Sequence, residues 1–443
     1  MDTTTLFPGM ELPEPSADSN GAPPVEARVC RPDRRQVFLE PTCLDERLAP
    51  DHPARTIWAA TGRLDLTAFY APLKAAGSDP GRPAIDPRLL VALWLFACVE
   101  GVGNGRELAR LCETHDAYRW LCGGVSVNYH TLNDFRVGHG AALDALFTQV
   151  LAILLYHDVV QVARTVQDGL RVRASAGSGS FRRRPTLEER VAEARAHVAA
   201  VKQQAEETPE LSAQRRAARE RTAQERLARV EAALQELPKV EAAKAQLRAD
   251  KPSKQNAPRV SLTDPEARRM KMPDGGFRPA YNVQLASDPH SRAIVAVGVT
   301  NHGTDHGEDQ PLRAQVEQRS GRKVREHLLD GGYVKREAIE QAAAAGVAVY
   351  APLPATGKRG AVCTHNPGDT PAVAAWRARM THPAGQAVYK QRAATAETIN
   401  ADLRTWRGLR SFAVRGLAKC RCVALWSALA YNLMHFAGVL LKD

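Results

Sequence analysis

None of the eight cysteines, at positions 30, 43, 98, 112, 122, 363, 420 and 422, stands in a Cys-x-x-Cys pair. That removes the usual frame of a structural zinc module and leaves reduced, packed thiols as the reading. Long apolar runs are missing too. The longest, Leu89–Val99, falls far short of the roughly 20 residues that span a bilayer, so it is expected to be a buried helix. The first thirty residues lack a basic flank followed by an apolar stretch. They carry acidic residues and Pro13, Pro15, Pro23 and Pro24 instead, so the expectation is a cytoplasmic protein with a disordered tail over 1–30. Acidic residues are in deficit: 49 Asp and Glu face 60 Lys and Arg, a formal net charge of +11. A basic surplus of this kind suits a partner made of phosphates, because each contact releases condensed counterions.

Two kinds of grammar divide the rest of the chain. Residues 31–160 read as helical. Asp86-Pro87 opens a helix with Pro in its first turn, and Leu89, Leu90, Ala92, Leu93, Leu95 and Phe96 make it apolar almost all round. A second helix follows the Gly101–Gly105 break, a third starts at Tyr129 with Asn128 or Thr131 as cap, and a fourth covers Ala142–Tyr156. Trp94 and Trp120 are expected in the core. Short helices joined by Gly-containing turns fit a helix-turn-helix DNA reader and a plain bundle equally well. After Asp158 the text turns β-rich: Val159–Asp168, Tyr281–Leu285, Ala293–Val299 (continuously apolar, hence expected at the sheet centre), Glu326–Leu329 and Val347–Ala351. Helices are expected at about 309–319 and 335–345. The result is an α/β class with a mixed sheet and crossover connections.

Residues 184–250 interrupt that sheet. Leu187, Val191, Ala194, Val198, Val201 and Ala205 recur at spacings of four and three, as do Ala223, Leu227, Val230, Leu234 and Leu237 after a new start at Thr208-Pro209. This predicts an antiparallel helical hairpin with a narrow apolar seam. Its arginines read mainly as a solvated face.

Chemistry on phosphodiesters calls for carboxylates that converge around divalent cations. Asp168 and Asp330 each close an apolar strand before glycine, and Glu397 lies in helical text downstream. Carboxyl ends of strands are where ligands gather in α/β sheets. Taken singly, an Asp before Gly is more readily a turn residue and Glu397 a solvated helix position, so the residues alone leave both readings open. His302, Asp305, His306, Glu308 and Asp309 fall between a strand and a helix and read as a loop with a cap, in preference to a metal cluster.

The motifs, taken in order, resemble the bacterial insertion-sequence DDE transposases with an RNase H-like catalytic domain and a Tyr-Arg-Glu-Lys signature. Five separated pieces carry the likeness. They are Asp168-Gly169 with Arg171, Arg173 and Ala174; Gly275–Gln284; Leu329-Asp330-Gly331-Gly332-Tyr333; Tyr389, Arg392, Glu397 and Arg404; and Arg415–Lys419 with Asn432-Leu433-Met434. Two departures stand out. Arg392 and Glu397 are five residues apart, one more than usual, and Arg404 occupies the signature's Lys position, keeping a cation that can grip phosphate. The interval between Asp168 and Asp330 is also lengthened by the hairpin, whereas the group more usually inserts after its second acid.

The resemblance implies an all-α DNA-binding domain over 31–160, an RNase H-like catalytic domain over 161–183 and 251–443, and a helical-hairpin insertion over 184–250. It implies that Asp168, Asp330 and Glu397 hold two Mg²⁺ ions, with Mn²⁺ a substitute. A metal-bound water would free a 3′-OH at each transposon end, and that hydroxyl would attack target DNA. Tyr389, Arg392, Arg404 and Lys419 would contact the DNA, with Lys271 and Arg278 as further candidates for its backbone. Double-stranded inverted-repeat ends and target DNA would be the partners, bound by a homodimer associated with the nucleoid. The alternative class is a transposase-derived DNA-binding protein that no longer cuts.

Overall fold

Helix starts in the N-terminal third follow local capping chemistry. The computed structural model describes residues 43–73, 84–207, 212–247, 257–356, 361–362, 364 and 366–442. The expected tail over 1–30 and the Thr208-Pro209 helix start lie outside them. Helices α1 (Pro53–Arg63), α2 (Thr67–Tyr70), α3 (Pro87–Val99), α4 (Gly105–Thr114), α5 (Asp116–Cys122), α6 (Tyr129–Gly138) and α7 (Gly140–Tyr156) occupy the first part. The Asp86 carboxylate accepts from the Arg88 amide at 2.9 Å to start α3, and Asn128, not Thr131, caps α6. Helix α3, apolar on all sides, is buried on all sides, as expected. Trp94 on α3 is fully enclosed and donates to the Leu132 carbonyl at 2.9 Å. Trp120 is only half-buried; its indole donates to Asp45 and carries the Arg55 guanidinium on its face.

Strand β1 (Arg164–Arg173) is the hub of a six-stranded sheet. It pairs antiparallel with β5 (Phe277–Ser287) and parallel with β7 (Glu326–Leu328), and β8 (Ala348–Tyr350) adds in parallel beyond β7. The far side of β5 is shared by β4 (Arg268–Lys271) and β6 (Ile294–Thr300), both antiparallel to it. Helices α10 (Asp309–Ser320) and α11 (Arg336–Ala344) precede and follow β7; α12 (Pro371–Thr381), α13 (Pro383–Thr405), α14 (Leu417–His435) and α15 (Ala437–Leu440) complete the chain. A short ladder of β9 (Ala355–Thr356) with β10 (Ala361–Val362) lies between β8 and α12.

Two expectations are corrected here. Asp168 does not end its strand: β1 runs on through Arg173, with Leu170 and Val172 buried, because β5 is long enough to pair with it throughout. The continuously apolar β6 is not central. Among the described residues it pairs only with β5, and its apolar side chains are covered by helices α10 and α14. Asn432 of α14 exchanges two hydrogen bonds with the Ile294 backbone (3.0 and 2.8 Å), satisfying groups that an edge strand otherwise leaves bare.

The helical part and the sheet share one core, which runs from Leu48 to Leu440 with α14 at its centre. Arg136 of α6 is buried there with no carboxylate partner among the described residues. It donates to the Gly103 carbonyl at 2.7 Å and stacks over Trp94. Asp144 of α7 binds both Arg319 of α10 and Arg421 of α14, tying three helices together.

Between β2 (Phe181–Arg182) and β3 (Val260–Ser261), which pair antiparallel, stand α8 (Arg184–Glu207) and α9 (Ala213–Leu247). Leu187, Val191 and Ala194 are buried, as are Ala223, Val230 and Leu237. Ion pairs Arg184–Glu241 (2.6 Å) and Arg195–Glu231 (2.8 Å) join early α8 to late α9, the order an antiparallel pair requires. No single helix among the described residues is long and apolar enough to cross a membrane; α6 and α7 reach that apolar length only as a pair bent by 67°.

Candidate active site

Asp168 sits in mid-strand on β1, and Asp330 follows β7 by two residues. Because β1 and β7 are parallel neighbours, residues remote in sequence are brought to one place. The Arg392 guanidinium marks that place. Its Nη2 lies 2.8 Å from Asp168 Oδ1 and 3.6 Å from Asp330 Oδ2. Asn400, two turns further along α13, donates to the other oxygen of Asp168 at 2.8 Å. Burial pushes the Asp168 carboxyl above its usual range, Arg392 pulls it down, and the charges of Asp330 and Asp305 push it up.

A second layer lies on the opposite face of β1. Alternation along a strand puts Thr165, Gln167 and Gly169 together, away from Asp168. Gln167 donates to Gln284 Oε1 (2.8 Å) and to the Glu308 carbonyl (2.9 Å), so its own Oε1 is left to accept from His327 Nε2 (3.0 Å). That arrangement makes His327 Nδ1 the acceptor for the Thr165 hydroxyl at 2.7 Å. Burial holds the His327 pKa down to about 3. Asp305 closes the network: its Oδ1 accepts from Asn282 (2.6 Å) and Gln284 (2.8 Å), and its Oδ2 lies 3.7 Å from Arg171.

Gly169 is what allows Asp305 so close. A Cβ on Gly169 would lie 2.5 Å from Asp305 Oδ1, 2.8 Å from Gln284 Nε2 and 2.9 Å from Asn282 Oδ1. Glycine within a strand commonly marks such a close approach. Tyr333, buried and donating to Gln284 Oε1, is held well above the usual phenol range by burial and by the charges of Asp305, Asp168 and Asp330.

The residues singled out in the sequence therefore fall into four places. Asp168, Asp330 and Arg392 converge, with half-buried Tyr389 beside them, its phenol raised by burial and partly offset by Arg392. Glu397 is on the same helix as Arg392 but is exposed, about 60° around the helix from Asn400, and makes no side-chain hydrogen bond or ion pair among the described residues. Arg404 lines an arginine-rich cleft next to this site, and Lys419 is exposed on the first turn of α14. Among the described residues, no three His, Cys, Asp or Glu side chains are grouped so as to hold a metal ion. Sequence reasoning overlooked Asn400, whose signal was its place two helical turns after Arg392. It assigned Asp305 to a loop, and the loop is there; the turn of its carboxylate toward the sheet had no local signal.

Comparison with known proteins adds two matches. Residues 42–137 match a family model described as Transposase domain (DUF772), and residues 355–437 match one described as Transposase DDE domain. The second contains Tyr389, Arg392, Glu397, Asn400, Arg404 and Lys419; Asp168 and Asp330 lie outside both. No curated protein and no solved structure matches the chain. The two domain matches support a transposase function.

Proposed function

We propose that this chain cuts DNA at the ends of a mobile element and joins the freed 3′-OH to target DNA, with Asp168, Asp330 and Glu397 as its acidic residues. One observation carries the reading: the carboxylates of Asp168, within β1, and Asp330, two residues beyond the parallel neighbour β7, face a single guanidinium nitrogen on α13. The strand order β6-β5-β1-β7-β8, antiparallel over its first three members and parallel over its last three, supports an RNase H-like sheet. In this reading residues 31–160 contact DNA, 161–183 and 251–443 catalyse, and 184–250 form an inserted arm. The protein works as a homodimer on paired ends.

Of the three acids, the Asp168 and Asp330 pair suits a divalent ion, and the exposed Glu397 stands apart from it. Asp168 and Asp330 offer hard carboxylate oxygens already facing one cation, which suits Mg²⁺ with Mn²⁺ as a substitute. When bound, such ions supply charge stabilisation for phosphoryl transfer. The chain's own residues do the rest. Asn400 fixes the orientation of Asp168, and Arg392 neutralises both aspartates until DNA and ions enter. Tyr389 and Arg392 then face the phosphates near the cut, with Lys419 a more distant backbone contact.

The exposed position of Glu397, apart from the aspartate pair, is the observation that favours the second reading, a DNA-binding protein that does not cut. A labelled duplex carrying the element's own end, incubated with Mg²⁺, separates the two. Nicking at the end that disappears in Asp330→Ala supports the enzyme. Tight, salt-sensitive binding without cleavage in Mg²⁺ or Mn²⁺ overturns it.

A further inference from the structure

Both elements that carry the acidic site run on into a second feature. Three residues beyond Asp168 on β1 come Arg171 and then Arg173; four residues beyond Asn400 on α13 comes Arg404. These three, with Arg278 of β5 and Arg410 from the loop before α14, line a cleft of about 460 Å³. Only one carboxylate, Asp274, stands among its lining residues. Along β1 the backbone from Asp168 to Arg171 spans ~10 Å, about three base-pair steps of DNA, with the two side chains on opposite faces of the strand. Arg404 reaches the cleft from α13, the helix whose Asn400 meets Asp168.

Asp274 is tied up inside the cleft. Its Oδ2 receives Arg278 Nη1 at 2.5 Å, while its Oδ1 accepts from the Gly276 amide at 3.2 Å, which fixes the side chain within the β4–β5 turn. Arg278 and, more weakly, Arg173 hold the Asp274 carboxyl below its usual range, so the single acid feels more than one of the guanidiniums. Arg171 donates to the Lys271 and Gly303 carbonyls, which fixes its guanidinium at the cleft mouth, and its Nε is buried without an acceptor. Arg410 leans on the Arg404 carbonyl at 3.1 Å. Held through a backbone carbonyl, Arg410 keeps its charge for another anion, whereas Arg171 also faces Asp305 at 3.7 Å; the planar guanidinium forks match phosphate.

We infer that this cleft takes the backbone phosphates of the DNA strand leading to the acidic site, and that Asp274 occupies Arg278 as an internal competitor which a phosphate must displace. The inference rests on the transposase reading for the strand's destination. It makes a prediction that reading alone does not, namely that removing an acidic residue strengthens DNA binding in a particular way.

The test measures binding, which separates it from the cleavage assay above. A fluorescein-labelled 30-base-pair duplex of mixed sequence is titrated with the full chain from 50 to 300 mM NaCl, without divalent ions. Asp274→Asn is expected to bind about 3- to 10-fold more tightly at 100 mM NaCl, with a steeper dependence of log K on log salt. Arg278→Gln combined with Arg410→Gln is expected to bind at least 10-fold more weakly, with the slope reduced by roughly one for each phosphate that is no longer neutralised. Asp274→Ala and Arg278→Ala, checked for unchanged thermal unfolding, guard against a folding artefact. If Asp274→Asn and the double arginine variant both keep the parent's affinity and slope, the cleft does not carry the strand. That result overturns the inference even if end cleavage is found, whereas the predicted shifts without any cleavage sustain it and sink only the catalytic reading.

Discussion

Arg392 holds Asp168 by a 2.8 Å contact from its guanidinium to a carboxylate that burial otherwise pushes toward the protonated form. The two residues come from a mid-sheet strand and a C-terminal helix, and the same nitrogen reaches Asp330 at 3.6 Å. Arg392 is therefore the main influence opposing the upward push of burial on the Asp168 carboxyl, and it faces a second carboxylate as well.

Arg392→Gln removes the charge while keeping a hydrogen-bond donor of similar reach. With the principal lowering influence gone, the Asp168 carboxyl moves further up, so the acid limb of a cleavage-versus-pH profile shifts to higher pH. We expect end cleavage at neutral pH to fall at least 10-fold, with Arg392→Lys retaining part of it. An unshifted acid limb in the Gln variant would sink the role assigned to the pair.

Gly169→Ala puts a methyl group 2.5 Å from Asp305 Oδ1, against two amides that are themselves hydrogen-bonded. Something must move, and Asp305 is held in place by hydrogen bonds from Asn282 and Gln284. Overpacking of this kind costs ~1–3 kcal/mol, readable by urea denaturation. Displacing Asp305 also disturbs Gln284 and Tyr333, so cleavage should be lost together with stability. An alanine variant as stable as the parent would show that the strand bends aside easily.

His327 gives the fold an acid-sensitive term. It is fully enclosed between Thr165 and Gln167 and neutral, with a pKa held down to about 3, below the ordinary value of 6.5. A lowered folded-state pKa contributes stability that is present in full above about pH 6.5 and is lost progressively as pH falls toward 3. At pH 4.5 the loss from this residue is about 3 kcal/mol. His327→Gln should be less stable than the parent at pH 7 yet lose less on going to pH 4.5, as urea unfolding at the two values would show. Equal losses in the two proteins would contradict the assignment.

Gly101 and Gly408 fasten the α3–α4 turn to the loop that follows α13. Both have positive φ (+71°), and a Cβ on Gly101 would meet the Trp406 carbonyl at 2.9 Å, while one on Gly408 would meet the Gly101 carbonyl at 2.8 Å. Gly101→Ala combines left-handed backbone strain with a clash against main chain, an expected cost of about 2 kcal/mol in thermal or chemical unfolding. Because that loop leads away from Arg404, we also expect weaker DNA binding in this variant. A stability change below a few tenths of a kcal/mol would mean the two turns separate without cost.

Element types were legible in the residues because they depend on local periodicity. The all-round apolar α3, the Asn and Asp caps, the four-and-three rhythm of α8 and α9, and the β-rich segments around Asp168 and Asp330 all express short-range chemistry that a chain carries with it. Strand ends and sheet order were not legible to the same degree. Asp168 followed by Gly reads as a strand end, yet β5 offers backbone partners as far as Arg173, and pairing partners are set by the whole sheet. Likewise β6 reads as central because it is apolar, and only the packing of α10 and α14 reveals an edge strand covered by helices.

By itself, then, the sequence determined which acids and arginines were available and which helix and strands carried them. Tertiary structure decided which of them meet. It put Asp330 beside Asp168 through parallel pairing of β1 with β7, turned Arg392 and Asn400 toward them, and left Glu397 on the neighbouring stripe of α13 facing solvent. It also gathered five arginines from β1, β5, α13 and a loop around one aspartate. Such convergence is a property of long-range packing geometry, in which a 100° step along a helix or a single residue along a strand changes what a side chain faces, and nothing local in the chain encodes it.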